Sequence, residues 1–149
     1  MEIRTLNPND VDSLLYLEQE LFSQPFSSNS CLEELSLNSR LYIGLFDDDQ
    51  LLGYAGANIT FDSADIIKVG VLKTEQGKGY GKKLLSELLE KLKQIEVNEV
   101  LLEVEHNNFK AINLYLGAGF KEISERKNYY GENSHAKILR KELNNETEL

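Results

Sequence analysis

The sequence predicts one α/β (α+β) domain, with helices flanking a mixed central sheet. Three observations predict it. Leu84, Leu85, Leu88, Leu89, Leu92 and Ile95 form one apolar stripe with lysines and glutamates opposite, the mark of a long amphipathic helix. Strand-like runs at 64–72 and 99–105 flank that helix, as in a βαβ crossover. Further strand-like runs come in pairs, 40–46 with 51–61 and 120–130 with 135–143, spaced as hairpins.

Taken in order, residues 2–6 read as a short strand. Asn7-Pro8 followed by Asp10 is a helix-start signal. Val11, Leu14, Leu15, Glu18 and Leu21 then trace a helical face that is apolar except at Glu18. Gln24-Pro25-Phe26-Ser27-Ser28 breaks this helix, and 31–38 suits a second, shorter one. The first hairpin turns at Asp47-Asp48-Asp49-Gln50. Asn98 ends the long helix, and Gly117 and Gly119 close another over 107–116. The expected order is β-α-α-β-β-β-α-β-α-β-β. The domain is expected over 1–143, with a frayed tail over 144–149.

Composition limits the function. The chain has 149 residues, 41% hydrophobic and 28% charged, as one globular domain should. No apolar run approaches the roughly 20 residues of a membrane helix. The first residues lack a basic n-region and an apolar h-region, so no signal peptide is expected. A single cysteine, Cys31, allows no internal disulfide, and the two histidines, His106 and His135, are far apart in sequence. A cytoplasmic protein without a metal is expected. The net charge of −9 argues against nucleic acid as a direct ligand. Residues 1–65 hold 12 acids and 2 bases, whereas 66–149 hold 13 acids and 14 bases. Solubility accounts for such a charge. The split also suits an acidic part that meets a cationic partner and a neutral part that holds an anion.

The richest segment is Gln76-Gly77-Lys78-Gly79-Tyr80-Gly81-Lys82-Lys83. It joins a strand to a helix, alternates three glycines and puts two lysines in the first helical turn. Glycines turn backbone N–H groups toward a ligand, and a helix N-terminus adds free donors and partial positive charge. These parts suit a diphosphate; a glycine-rich turn without a ligand is the plainer reading. A nucleoside-triphosphate loop would need Ser or Thr after Gly-Lys, but Lys83 follows Lys82. A dinucleotide loop would need G-x-G-x-x-G, a spacing absent here. The residues read Q-x-x-G-x-G, which resembles the acetyl-CoA loop of the GNAT N-acetyltransferases.

The resemblance covers nearly the whole chain. Asn107-Asn108-Phe109-Lys110-Ala111-Ile112-Asn113-Leu114-Tyr115-Leu116-Gly117-Ala118-Gly119-Phe120 is similar to a second GNAT signature, N-x-x-A-x-x-L-Y-x-x-x-G-F. Leu102-Glu103-Val104-Glu105, Arg126-Lys127-Asn128-Tyr129-Tyr130 and Pro25-Phe26-Ser27 resemble the RimI branch, the ribosomal-protein-alanine N-acetyltransferases. Three departures touch the acceptor side or the loop entrance. Lys68 stands at a common Asn, Leu72-Lys73-Thr74-Glu75 replaces D-P-x-Y, and Ser134-His135-Ala136-Lys137 replaces an E-D-A run.

Acetyl transfer from a thioester to an amine needs a neutral amine, a polarised carbonyl and a proton for the thiolate. It needs no enzyme nucleophile, which agrees with the residue content. Glu103 is the candidate general base. Its strand follows a crossover helix and is expected to be covered on both faces, where a carboxylate needs a reason to exist. A solvent-facing or salt-bridged strand end is the alternative. An α-ammonium of pKa about 8 is easier to deprotonate than a lysine of about 10.4. Tyr115 is the candidate general acid, although an aromatic at helical spacing with Ala111, Leu114 and Ala118 also reads as core.

The resemblance implies the rest. Backbone groups of Val69, Gly70 and Val71 hold the pantetheine and polarise the thioester. Gln76, Gly77, Lys78, Gly79, Tyr80, Gly81 and Lys82 wrap the diphosphate, and Asn108 reaches the pantetheine arm. Glu18, Tyr129 and Tyr130 are candidates for the acceptor groove. The implied co-substrate is acetyl-CoA. The implied acceptor is the N-terminal alanine of the eighteenth small-subunit ribosomal protein, a basic partner. No nucleic acid or membrane partner is expected, and the sequence leaves the oligomeric state open between a monomer and a weak dimer. An enzyme acting on a small amine such as a polyamine or aminoglycoside, and a non-catalytic CoA-binding module, are the rival expectations.

Overall fold

A computed structural model describes residues 1–143; the tail expected over 144–149 lies outside the described residues. The observed elements are β1 (Glu2–Thr5), α1 (Val11–Leu21), α2 (Ser28–Ser36), β2 (Arg40–Asp47), β3 (Gln50–Thr60), β4 (Ser63–Val71), α3 (Tyr80–Gln94), β5 (Glu99–Glu105), α4 (Phe109–Gly117), β6 (Lys121–Gly131) and β7 (Ser134–Glu142). Short 3-10 turns precede α1 and α3. The predicted element order holds, with boundaries shifted by a few residues.

The strands form one mixed sheet in the order β1-β2-β3-β4-β5-β7-β6. β4 and β5 run parallel, and the other neighbours are antiparallel. The parallel ladder is short: Ser63, Ala64 and Asp65 pair with Glu99, Val100 and Leu101. Beyond it the two strands part.

α3 covers one face of the sheet. Leu84, Leu85, Leu88 and Leu92 have no exposed surface, and each buried leucine contributes about 1.5–3 kcal/mol. Ile95, expected in that stripe, is instead the C-terminal cap residue and 56% exposed. Val97, just beyond the cap, is buried in the core.

α1 and α2 cover β2 to β4 on the other face. Register shows which side chains share it. Tyr54, Gly56 and Asn58 alternate along β3 and pair with Gly70, Lys68 and Asp65 on β4. A bulge beside Gly56/Ala57 absorbs the extra β4 residue. Asp65 pairs with Leu101, and Glu103 lies two residues further on β5. Lys68, Gly70, Leu101 and Glu103 therefore share the α1 face. The helices stop short of β5, so its α1 face is open. Leu102 and Val104 are buried while Glu103 is exposed, which corrects the expectation of cover on both faces. Every residue of the edge strand β6 is exposed.

The entry to α1 is fixed by charge. Arg4 donates two hydrogen bonds to the Asp10 carboxylate, at 2.9 and 3.0 Å, and Asn7 N–H donates another at 2.9 Å. The Arg4 guanidinium is the main cause that holds the Asp10 carboxyl below its ordinary range, against an opposing effect of burial. Asp10→Asn is expected to lower stability by about 1 kcal/mol, read as a lower urea midpoint. A depressed carboxyl stabilises the fold above its unfolded value of about 4 and loses that contribution as pH falls through the folded value. The difference between the two proteins should therefore close in acid. A difference that persists unchanged would refute the assignment.

Candidate active site

The glycine loop has the backbone its sequence demands. Gly77 and Gly79 sit at φ +83° and +84°, in the left-handed region. A Cβ at either would meet nothing within 4 Å, so both glycines serve the backbone path and leave open space beside it. Gly79 is the N-cap of α3 and makes no side-chain cap. The first turn holds Lys82 and no acid. The first helical N–H groups and the positive end of the helix thus face that space unshielded.

A cleft of about 540 Å³ lies between this loop, the end of β4 and α4. Its lining brings together Val69, Gly70, Val71, Gln76, Gly77, Gly79, Tyr80, Gly81, Lys82, Asn108 and Tyr115, all expected from the sequence. Lys78 is absent from the lining; it pairs with Glu75 at 3.1 Å instead. Gln76 acts as a staple. Its side-chain amide donates to Val71 C=O at 2.8 Å and accepts from Lys110 Nζ at 2.7 Å, so β4, the loop and α4 are tied together. Asn108 caps α4 by accepting from Ala111 N–H at 3.2 Å. Tyr115 is nearly buried and packs edge-on against Phe120, with centroids 5.7 Å apart. Burial pushes its phenol up to about 12, so it holds its proton at neutral pH.

Glu103 lies on the far side of the β4–β5 opening. It lines a second cavity of about 530 Å³ with Asp65, Ile67, Leu101 and Ile138, and does not share the Tyr115 cleft. Its carboxylate accepts from Arg126 at 2.8 Å. The Arg126 guanidinium also lies 4.2 Å over the Tyr129 ring, and Tyr129 meets Tyr130 edge-on at 5.2 Å. Glu103, Arg126, Tyr129 and Tyr130 thus form one chain of contacts on the uncovered part of the sheet. His106 and His135, distant in sequence, stack at 4.8 Å where β5 meets β7. Among the described residues, no group of three or more His, Cys, Asp or Glu is placed to hold a metal ion. No helix among them is long and apolar enough to cross a membrane.

Residues 11–120 match the acetyltransferase (GNAT) family. The chain belongs to that family. This acetyltransferase is 35% identical over 121 residues to the ribosomal protein bS18-alanine N-acetyltransferase of Haemophilus influenzae, a match covering 81% of this chain and 82% of that protein. The crystal structure of the ribosomal-protein-S18-alanine N-acetyltransferase from Escherichia coli matches it with a TM-score of 0.89 at 26% identity, over 97% of this chain and 94% of that one. Arabidopsis thaliana NAA60 in complex with acetyl-CoA shares the fold, with a TM-score of 0.84 at 20% identity over 97% and 99% of the two chains. The GNAT fold and the RimI-type likeness expected from the motifs are both found.

One expected acceptor residue of the acetyltransferase has another task. Glu18 has no exposed surface. Its carboxylate accepts from Phe26 N–H at 2.7 Å, from Lys68 Nζ at 2.9 Å and from the Tyr54 hydroxyl. Burial is the chief cause raising the Tyr54 phenol, and the bond to Glu18 adds to it. Glu18 is therefore the internal anchor of the α1–α2 connection, and no face of it is open to an acceptor. Cys31 is buried as expected, and its thiol is pushed up to about 11, chiefly by burial. Sequence reasoning assigned no role to Arg126 or Lys110. Arg126 stood inside a motif already singled out; Lys110 gave no signal beyond its place beside Asn108.

Removing one partner of a buried charge leaves the others unpaired. Glu18→Ala is expected to cost about 3–5 kcal/mol, measured as a fall in urea midpoint. A loss below about 1 kcal/mol would show that Tyr54, Lys68 and Phe26 find other partners.

Proposed function

We propose that this acetyltransferase moves acetyl from acetyl-CoA to a protein N-terminal α-amine, the acceptor being the N-terminal alanine of ribosomal protein bS18. The observation that carries the reading is the shared cleft. It combines a β4 edge at 69–71 that β5 leaves free, with Val71 C=O alone held by Gln76, a helix N-terminus with open left-handed glycines, Asn108 and a protonated Tyr115. A long, narrow, partly anionic ligand fits this set. The cations Lys82 and Lys110 line the diphosphate end. The names of the Haemophilus influenzae and Escherichia coli relatives support the acceptor. So does the open face over β5, β6 and β7, which suits a peptide better than a small enclosed amine. The acidic residues 1–65 suit a basic ribosomal protein, and the reaction belongs in the cytoplasm.

Bound acetyl-CoA supplies an electrophilic thioester carbonyl and a thiolate leaving group. Val69, Gly70 and Val71 offer backbone groups along the free β4 edge that add the pantetheine as a strand would, and one N–H polarises the carbonyl. Glu103 takes a proton from the acceptor ammonium through one water, and the amine nitrogen then attacks. As the C–S bond breaks, Tyr115 gives its proton to sulfur, and the second proton shed by the attacking nitrogen as it becomes the amide passes through water to restore the phenol. A phenol at about 12 is a weak donor in water. The buried cleft also disfavours the thiolate charge, so the pull on the proton rises with the same burial. Arg126 donates a hydrogen bond to the Glu103 carboxylate at 2.8 Å and so fixes its position.

Mass spectrometry of bS18 incubated with acetyl-CoA and the enzyme should place one acetyl group on the N-terminal amine. Acetyl groups on lysine side chains alone, or on none, would refute the acceptor. Glu103→Gln and Tyr115→Phe should each lower kcat on the order of 100-fold while the KM for acetyl-CoA changes little. An unchanged kcat in either variant removes that residue from the chemistry.

A further inference from the structure

We propose that Lys68 selects the acceptor by placing a fixed cation on the sheet face beside the acceptor site, admitting an amine that carries one positive charge and resisting a second. The inference rests on residues 69–71 being the thioester site. Lys68 directly precedes them on β4. It lies on the same sheet face as Gly70 and, across the β4–β5 opening, Glu103. An amine that reaches both the β4 edge and Glu103 therefore crosses the sheet face that carries Lys68, although Lys68 itself lines neither cavity.

The lysine head is caged on three sides. Glu18 lies at 2.9 Å, the Phe26 ring at 3.9 Å and the Phe22 ring at 4.3 Å. Phe22 also lines the large cleft, so the cage and the cleft share a wall. The Lys68 side chain nevertheless remains 22% exposed. Glu18 has no surface and also binds Phe26 N–H and Tyr54. It pairs with the lysine and shows no carboxylate to solvent. What an arriving ligand meets is an ammonium flanked by two aromatic faces. Ring faces hold a cation in place. A second cation a few ångströms away is repelled, at a surface dielectric, by about tenfold or more in affinity. The class selected is an α-amine on a residue with a small neutral side chain. Diamines and amine-bearing residues with a basic side chain are disfavoured.

The test measures kcat/KM on two matched pairs. One pair is an Ala-first and a Lys-first peptide of otherwise identical sequence; the other is propylamine and 1,4-diaminobutane. Wild type should prefer the singly charged acceptor of each pair. Lys68→Met keeps the apolar stem against Phe22 and Phe26 and should move the preference about tenfold toward the doubly charged one. Lys68→Arg should keep the wild-type preference. Lys68→Gln, which still donates to Glu18, repeats the test if Lys68→Met folds poorly. An unchanged ratio in Lys68→Met and Lys68→Gln, whatever the overall rate, overturns the proposal, because a purely structural role lowers both members of a pair alike. If only the small amines react, the protein-acceptor reading fails while their ratio still decides Lys68. No turnover of either pair overturns both.

Discussion

The molecule depends on where the β4–β5 ladder stops. Three residue pairs hold the two strands together, and then they diverge. A parallel pair that continued would use up the backbone donors and acceptors of both strands. Here β5 leaves residues 69–71 unpaired on that side, where only Val71 C=O is taken, by the Gln76 amide, next to the N-terminus of α3. Buried or half-buried backbone groups without partners are costly, so the opening is where the proposed strand-like ligand would supply what the sheet omits. The divergence is held by chemistry on either side. Gln76 ties β4 to the loop and α4, and the bulge beside Gly56/Ala57 turns β4 before the critical residues.

The second constraint is a single buried carboxylate. Glu18 carries a lysine, a tyrosine and a backbone amide from segments up to 50 residues away. Such a group contributes specificity rather than net stability, because the cost of removing charges from water offsets their attraction. It admits one arrangement of the α1–α2 connection over β4. That arrangement brings Phe22 to the cleft and sets the edge of the open sheet face.

Local signals carried much of this into the sequence. The glycine loop and the α3 stripe from Leu84 to Leu92 are each written in a few consecutive residues, and each is found in place. Relations across the chain were less legible. Glu18 reads as a polar break in an apolar face, and its lysine lies 50 residues away with no pattern to connect them. Strand alternation put Glu103 opposite Leu102 and Val104 correctly. Whether a helix covers that face is decided by where α1 and α2 dock, which alternation does not encode. Lys78 sits among the loop glycines yet turns to Glu75, a choice between rotamers that sequence does not show.

The open face leaves β6 as the outer edge of the sheet, exposed along its whole length. An extended edge of this kind invites pairing with another chain. The strand is guarded by its own residues. Lys121, Glu122, Glu125, Arg126 and Lys127 stud it with both signs of charge. Two register breaks, at Glu122/Ser124 and Arg126/Gly131, divide its pairing with β7 into short stretches. Irregular, charged edges are poor templates for end-to-end growth. An uncovered sheet face over β5 is thus combined with an outer edge strand whose charges and broken register make it a poor template for another strand.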